Sequence, residues 1–515
     1  MDLQKVRGSV INKKVLLITE GTYPYNYGGV SSWSHTLCNL TKGVDYIIYS
    51  LNAYFEEKPK YSIHSNIKEI IQVPLWAPYA LCDIMSYGHS YKHIASKKKN
   101  TSDINIRYYF LAPFKDFVSN LIGNNRDLDI LEESIYKLWD YFQKFDFDIT
   151  MKNVSVWNEF KGIIEENYAR NDHEPTLNDI AFALQYINKI IITLAVPVPP
   201  VDIAHITLAG LPILPALIAK KQYNAAIVAT EHGVFIRENM INISSSSLSF
   251  FVKNLIIKCS ESVSRLAYAK SDLVTSVNQF NTKWEFHYGL DKVKSKVIYN
   301  GVDENKFSLG EKPEHLKNTP TVVAIARIFA LKDIITMIKT CNYVRDKIPN
   351  VKFLVYGDKQ ADLEYVYECE KLIKELKLSE NFILAGHHSQ PNKAFLEGDI
   401  SILTSISEGF PYTVIESMSC GVPVVATDVG GVAEAITEET GFVCKPKDYT
   451  SLGEKVVFLL QNHDARIKMG EESRKRVLEN FTIEKIIRSY EEVYDDLLLF
   501  KNNIIERKNL VVEQW

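Results

Sequence analysis

No CxxC pair, no GxGxxG and no GxxxxGK[ST] occurs in this chain. The first absence removes the usual zinc and redox spacings, and the other two remove the glycine fingerprints of dinucleotide binders and P-loops. Cysteine is sparse: Cys38, Cys82, Cys259, Cys341, Cys369, Cys420 and Cys444 are scattered and odd in number. They read as reduced, mostly buried thiols of a cytosolic protein, not as a disulfide framework. Net positive charge is also missing. The formal charge is -4, which argues against a nucleic-acid partner but not against a small anionic ligand held by local cations. The short apolar run near the N-terminus lacks the length and cleavage site of a signal peptide. The most apolar long stretch, residues 181–200, is broken by Asn188 and Lys189 and closed by prolines. It reads as a buried helix and an extended turn, not a membrane span.

What the chain does have is alternation. Five short apolar runs, at 15–19, 44–51, 202–207, 225–230 and 272–277, are spaced by amphipathic segments. Five more follow at 321–326, 351–357, 381–386, 399–405 and 422–427. Strand-then-helix spacing predicts parallel sheets of βαβ units. Two such zones in 515 residues predict an α/β protein of two doubly wound, Rossmann-like domains. Residues 300–307, NGVDENKF, read as the junction. Residues 52–200 break the rhythm and read as a largely helical insertion in the first domain. The lysines at 97–99 read as a solvated loop. Residues 481–500 read as a long amphipathic helix.

Ligands of open parallel sheets bind beyond the carboxyl ends of the strands, so the residues after each strand carry the functional question. After the first strand, Gly28 and Gly29 permit close backbone approach, and Ser31 or Ser32 can cap the next helix; a plain turn is the simpler reading. The loop TEHGVF holds His232, and a lone histidine there is as readily structural as chemical. ARIFALKD places Arg327 and Lys332 at one strand end, where a fork and a point charge suit a diphosphate; a surface pair with Asp333 is the plain alternative. AGHHSQP offers backbone groups for a flat base. Its adjacent histidines point apart, which disfavours a metal. In SEGFPYTVIE, Glu408 lies in a loop, Gly409 lets the chain turn, Pro411 suits a first helical turn and Glu416 sits within the helix. Two acids so offset can grip the hydroxyls at the two ends of one long ligand, with its phosphates between them. A surface helix with one exposed acid per turn is the alternative, but it does not explain cations converging on the same edge.

SEGFPYTVIESMSCGVPVVATDVGG closely resembles the E-x7-E signature of retaining glycosyltransferases of family 4, which have the GT-B fold. ARIFALKD, NGVD and TEHG fit that family in the right order, although Ala326 stands where a glycine is commoner. The resemblance covers about residues 200–500 and the first strand with its Gly-Gly loop. LLITEGTYPYNYGGVSSW and TEHGVFIRE look like the subgroup that builds the Pel exopolysaccharide.

The resemblance implies two Rossmann-like domains facing a central cleft and closing on a donor. Residues 1–300, completed by a helix from about 485 to 515, would form the acceptor side, and residues 301–484 would hold the nucleotide sugar. By analogy Glu408 meets the donor hexose, Glu416 the ribose, Arg327 and Lys332 the diphosphate, and His232 the hexose near its 6-hydroxyl. Gly28, Gly29, Gly409 and Phe410 complete the substrate contacts. The expected donor is UDP-glucose and the acceptor a growing exopolysaccharide or other glycan, with no metal and no cofactor. The expected location is cytoplasmic, or peripheral at the inner face of the plasma membrane beside membrane-embedded polysaccharide export or synthase partners. The apolar, basic helix at 247–270 admits contact with an anionic membrane, but packing on the sheet is the plainer reading. The sequences DLD (127–129) and DFD (146–148) match a metal motif of another glycosyltransferase fold and read as chance. Two rival functions stay open: a nucleotide-sugar 2-epimerase, and a nucleotide-sugar-binding subunit without turnover.

Overall fold

The apolar runs become strands with both faces covered, as expected of near-continuous Val, Ile, Leu and Ala segments. The computed structural model describes residues 12–76, 90–124, 126–168, 174–360 and 362–512; Cys82 lies outside them. The chain divides into two compact units. One comprises residues up to Thr275, Lys283–Lys296 and the chain from Tyr490. The other comprises Ser276–Thr282 and Val297–Ser489.

In the first unit, β1 (Lys13–Glu20), β2 (Val44–Asn52), β3 (Ile67–Pro74), β4 (Ile203–Ile206), β5 (Ala226–Glu231), β6 (Leu273–Ser276) and β7 (Ser295–Val297) form one sheet. Its order is β3-β2-β1-β4-β5-β6-β7. β1 pairs in parallel with both β2 and β4, so the strand order reverses between β1 and β4. The second sheet holds β8 (Thr321–Ile325), β9 (Lys352–Tyr356), β10 (Phe382–Gly386), β11 (Ile400–Leu403), β12 (Val424–Thr427) and β13 (Gly441–Cys444). Its order is β10-β9-β8-β11-β12-β13, with the reversal between β8 and β11. These are doubly wound parallel sheets, and each reversal opens a crevice at its carboxyl edge.

Three strands were not legible in the sequence. β3, IKEIIQVP, lies inside the stretch expected to be mostly helical and pairs in parallel with β2. Its adjacent Lys68 and Glu69 are both exposed, as suits an edge strand, and interrupt the apolar pattern. β7 and β13 are only three and four residues long. Besides the short Ser276–Thr282 excursion, the chain passes between the units at Lys296 and Val297 and again at Ser489 and Tyr490.

The rest of the insertion is helical. In the helix Leu128–Lys144, Leu131, Ile135, Leu138 and Phe142 recur at helical spacing and are buried. They join Phe110, Phe114, Phe117 and Phe160 in the core of the first unit. Each such side chain contributes about 1.5–3 kcal/mol by leaving water. The two metal-like motifs are helix caps. Asp127 accepts hydrogen bonds from the backbone of Asp129 and Ile130, and Asp146 from that of Ile149. The helix Leu177–Ile191 starts with a Thr176/Asp179 capping box and runs into a turn at Ile192–Leu194, then an extended segment.

The helix Phe250–Lys270 packs by Leu255, Val263, Leu266 and Tyr268. Its cations are engaged at home: Lys253 with the Ser244 carbonyl, Lys258 over the Tyr168 ring, Arg265 with Glu261, and Lys270 with Asp129 and Glu132. Among the described residues no helix is long and apolar enough to cross a membrane. The six described cysteines are buried free thiols.

Candidate functional site

In the second unit, the loops after β8 and β11 are bound to one another across the reversal point. Thr404 Oγ1 donates to the carbonyls of Lys332 and Asp333, each at 3.0 Å, and the Ile406 N–H donates to Leu331 at 2.8 Å. Asp333 is left-handed (φ 45°) and caps the helix Ile334–Arg345 through the Thr336 N–H. It also accepts from the Thr336 hydroxyl at 2.7 Å, so its carboxylate is spent on the cap and not on a surface pair with the nearby cations.

This bracing brings Lys332 to Glu408. Lys332 Nζ donates to Glu408 Oε1 at 2.5 Å, and the Ser405 hydroxyl donates to the same oxygen at 2.5 Å. The lysine and glutamate side chains are 21% and 11% exposed, so the pair sits at the edge of solvent and keeps much of its strength. Arg327, from the same loop as Lys332, is exposed and lies over the Phe329 ring at 5.0 Å. Among the described residues it has no ion-pair partner. Lys332 is paired with Glu408 and Asp333 caps a helix, so Arg327 is the cation of this loop left facing solvent without an ion pair among the described residues.

Gly409 and Phe410 hold this loop from behind. The Gly409 carbonyl accepts from the Gly431 N–H at 2.7 Å, and that of Phe410 from Asn300 of the NGVD segment at 2.8 Å. The Phe410 ring is buried against Tyr299 and Phe481. It is a core side chain, so a substrate contact at this position falls to the backbone. Gly430 is left-handed (φ 55°), and a Cβ there would lie 1.9 Å from the Glu408 carbonyl.

Pro411 stands at the N-cap of the helix Tyr412–Ser419, one position before the first helical turn expected for it. Glu416 follows within that helix and is half-buried. Burial lifts its carboxyl to about 7, with Lys306 pulling the other way. Ser405, Lys306 and Gly430 escaped the sequence reading. The Gly430–Gly431 pair after β12 repeats the Gly28–Gly29 pattern after β1, and that repetition was the available signal.

In the first unit, Gly28 is the extended N-cap (φ 163°) of the helix Gly29–Leu40. Ser31 and Ser32 therefore lie inside the helix and neither caps it, which corrects the sequence expectation. Both glycines are exposed, and a Cβ on Gly28 would meet nothing within 4 Å. His232 follows β5, with its ring edge-on to Trp33 at 4.6 Å. Its Nε2 is buried without a hydrogen-bond partner, and burial pushes its pKa down to about 3. It is a neutral imidazole with one nitrogen left to bond.

The AGHHSQP histidines separate as expected. His387 is exposed, while His388 packs edge-on to Tyr356 and accepts from the Gln390 N–H. Among the described residues no three His, Cys, Asp or Glu side chains form a metal cluster.

Residues 13–292, more than half of the chain, match the family model described as Domain of unknown function (DUF3492), and residues 306–476 match Glycosyl transferases group 1. N-acetyl-alpha-D-glucosaminyl L-malate synthase of Bacillus anthracis is 26% identical over 306 residues, covering 58% of this chain and 75% of that protein. The trehalose synthase of Pyrococcus horikoshii is 29% identical over 40% of this chain, and the match spans only 54% of that protein. The crystal structure of Anabaena Alr3699/HepE in complex with UDP is similar over 94% of this chain and all of that one, with a TM-score of 0.57 at 14% identity. At that identity the likeness concerns the fold, which is GT-B with two Rossmann-like domains. The chain belongs to the DUF3492 family and, by the domain that carries the paired loops after β8 and β11, is a group 1 glycosyltransferase.

Proposed function

We propose that this enzyme is a retaining, metal-independent hexosyltransferase that moves glucose from UDP-glucose to a growing exopolysaccharide or related glycan, in the manner of the Pel subgroup. The observation that carries the reading is the Lys332–Glu408 pair, drawn from the two strands that flank the reversal of the second sheet. With Arg327 beside it, that edge can bind a diphosphate and a sugar at adjoining points.

In this reading Arg327 and Lys332 stabilise the charge that builds on the departing diphosphate. Glu408 orients Lys332 before the donor arrives and accepts from hexose hydroxyls. Glu416 accepts from the ribose. On the first unit, His232 is assigned a hexose hydroxyl, and Gly28 and Gly29 are assigned the phosphates. The acceptor hydroxyl attacks the anomeric carbon on the face from which UDP leaves, and a leaving phosphate oxygen takes its proton. The acceptor–carbon bond then replaces the phosphate–carbon bond with the configuration kept. UDP bound in Anabaena Alr3699/HepE, a protein of the same fold, supports the choice of nucleotide.

A thermal-shift panel of nucleotide sugars tests the donor. Transfer is then followed by NMR of the anomeric proton, with and without chelator. Stabilisation by UDP-glucose, an α-linked product and chelator-resistant turnover are the expected results. An inverted product or strict metal dependence would overturn the reading. Epimer formation from the UDP-sugar alone would favour the epimerase, and donor binding without any transfer would favour a binding subunit.

A further inference from the structure

The first unit contains a cavity of about 290 Å³ that the assignments above do not use. It opens where the first sheet reverses: Glu20 ends β1, Leu211 follows β4 and Phe235 follows β5. Its other wall is the insertion helix Leu177–Ile191, which supplies Phe182, Tyr186 and Lys189. The insertion therefore completes a crevice that the sheet only begins.

The chemistry of the lining narrows the occupant. Most of the wall is apolar, including Phe182, Leu211, Ile256 and Val263. Lys189 Nζ lies 5.2 Å from the ring centres of both Trp76 and Tyr186, and its charge also acts on the Glu20 carboxyl. Asn239 and Ser260 are bonded to one another at 2.5 Å. Glu20 Oε2 is buried and has no partner. Burial raises the Glu20 carboxyl above its ordinary range, with Lys189 and the Leu211 backbone pulling the other way. A hexose, with its ring of hydroxyls, would find too few partners here. A diphosphate would meet one lysine, Lys189, beside the Glu20 carboxyl and an apolar wall. The volume is at the small end for ligand pockets, where about 300 Å³ is a lower bound, yet well above the ~150 Å³ that holds a benzene. It suits a ring or a short chain.

We propose that this cavity binds the uncharged apolar aglycone of the glycosyl acceptor, a ring or a chain of up to about eight carbons, with a single oxygen placed to pair with Glu20. The proposal rests on the transferase reading, since it names the acceptor's class. It also gives the insertion a role: selecting acceptors by what the sugar is attached to.

The test uses the full chain and two probes, n-octyl β-D-glucoside below its micelle concentration and methyl β-D-glucoside, titrated by calorimetry. Octyl glucoside is expected to bind at one site, at least about tenfold tighter than the methyl compound, since several methylenes leave water. Leu248→Trp and Ile243→Trp, two half-buried lining positions, fill the cavity. Each should weaken octyl binding about tenfold while the UDP-induced thermal shift, which reports folding and donor binding, stays as in wild type. Equal affinity for the two glucosides, or octyl binding indifferent to both tryptophans, would overturn the proposal. Absence of any UDP shift in the wild type would instead strike the donor reading, and the glucoside comparison would still decide the cavity.

Discussion

Lys332 Nζ and Glu408 Oε1 lie 2.5 Å apart, although 76 residues separate them in the chain. The sequence reading gave these side chains different duties, one on the diphosphate and one on the sugar. The structure joins them before any ligand arrives. A cation held by a carboxylate is already oriented, so less side-chain freedom is lost when phosphate binds. The carboxylate oxygen that receives both Lys332 and Ser405 is fixed, so in the proposed reading Oε2 is the oxygen for a sugar hydroxyl.

Arg327, by contrast, is exposed and lies over the Phe329 ring. Arg327→Ala should lower kcat by about two to three orders of magnitude, the usual loss for one preorganised donor, with stability changed by less than about 0.5 kcal/mol. Lys332→Met should lose activity and also cost about 1–3 kcal/mol, because Glu408 is left 11% exposed without its cation. Lys332→Met with Glu408→Gln should regain most of that stability and none of the activity. Urea melts and single-turnover rates on the three variants check this.

Ten strands and the five loops after them were legible, because a strand buried on both faces is written as an unbroken apolar run. VVAT of β12 is buried at every position. What stayed hidden depends on contacts between distant segments. Nothing near Phe410 in sequence says that Tyr299 and Phe481 enclose its ring. The capping role of Ser31 or Ser32 failed because the helix starts two residues early, at Gly29, where a glycine N-cap gave no side-chain signal. Lys332 was recognised as a cation at a strand end. Its pairing with Glu408 was not, since a pair 76 positions apart follows from sheet order and not from spacing.

On the proposed reading, Glu416 gives the donor site a pH dependence. Its folded pKa is about 7, raised by burial from an ordinary 4.5. Below 4.5 both states hold the proton. Between about 4.5 and 7 the folded state keeps a proton that the unfolded chain releases, so this group's contribution to stability is lost as pH rises through that window. Donor binding should move the opposite way, because the ionised carboxylate accepts from both ribose hydroxyls. UDP-glucose affinity is expected to tighten from about pH 6 to about pH 8, and Glu416→Gln should flatten that change. Calorimetric titrations at the two pH values decide it; an unchanged slope in the variant would remove Glu416 from the ribose site.

His205, buried, and His232, half-buried, act on stability with the other sign. His205 bonds Tyr494 through Nδ1 and Thr230 through Nε2, each at 2.7 Å, tying the C-terminal helix to β4 and β5. Burial drives both His205 and His232 down to about 3. Each contributes stability that is present above about 6.5 and lost as pH falls, because only the unfolded chain takes up the proton. One such proton is worth about 1.4 kcal/mol per pH unit. Urea melts between about pH 6 and about pH 5 should therefore steepen in pH dependence, and His205→Gln should remove about one proton's share. Turnover of the wild type should show no limb from His232 near 6.5, since the group is neutral on both sides of that value.

Gly430 links backbone shape to the paired charges. It is left-handed, and a methyl group at its Cα would fall 1.9 Å from the Glu408 carbonyl and 2.8 Å from that of Gly409. Both are backbone atoms in the loop that presents Glu408, so neither can swing aside as a side-chain tip could. Gly430→Ala combines a strained φ with overpacking, about 2–4 kcal/mol together. The loop can relieve that only by moving Glu408 off Lys332. The expected result is a lower urea midpoint with a loss of turnover larger than the loss of UDP-glucose affinity, because Arg327 and Glu416 lie on other segments and keep their places. Gly28→Ala, where a Cβ meets nothing and φ is extended, is the matched control and should leave stability within about 0.5 kcal/mol of wild type. If the two alanines behave alike, the tight packing behind Glu408 has no part in holding the pair.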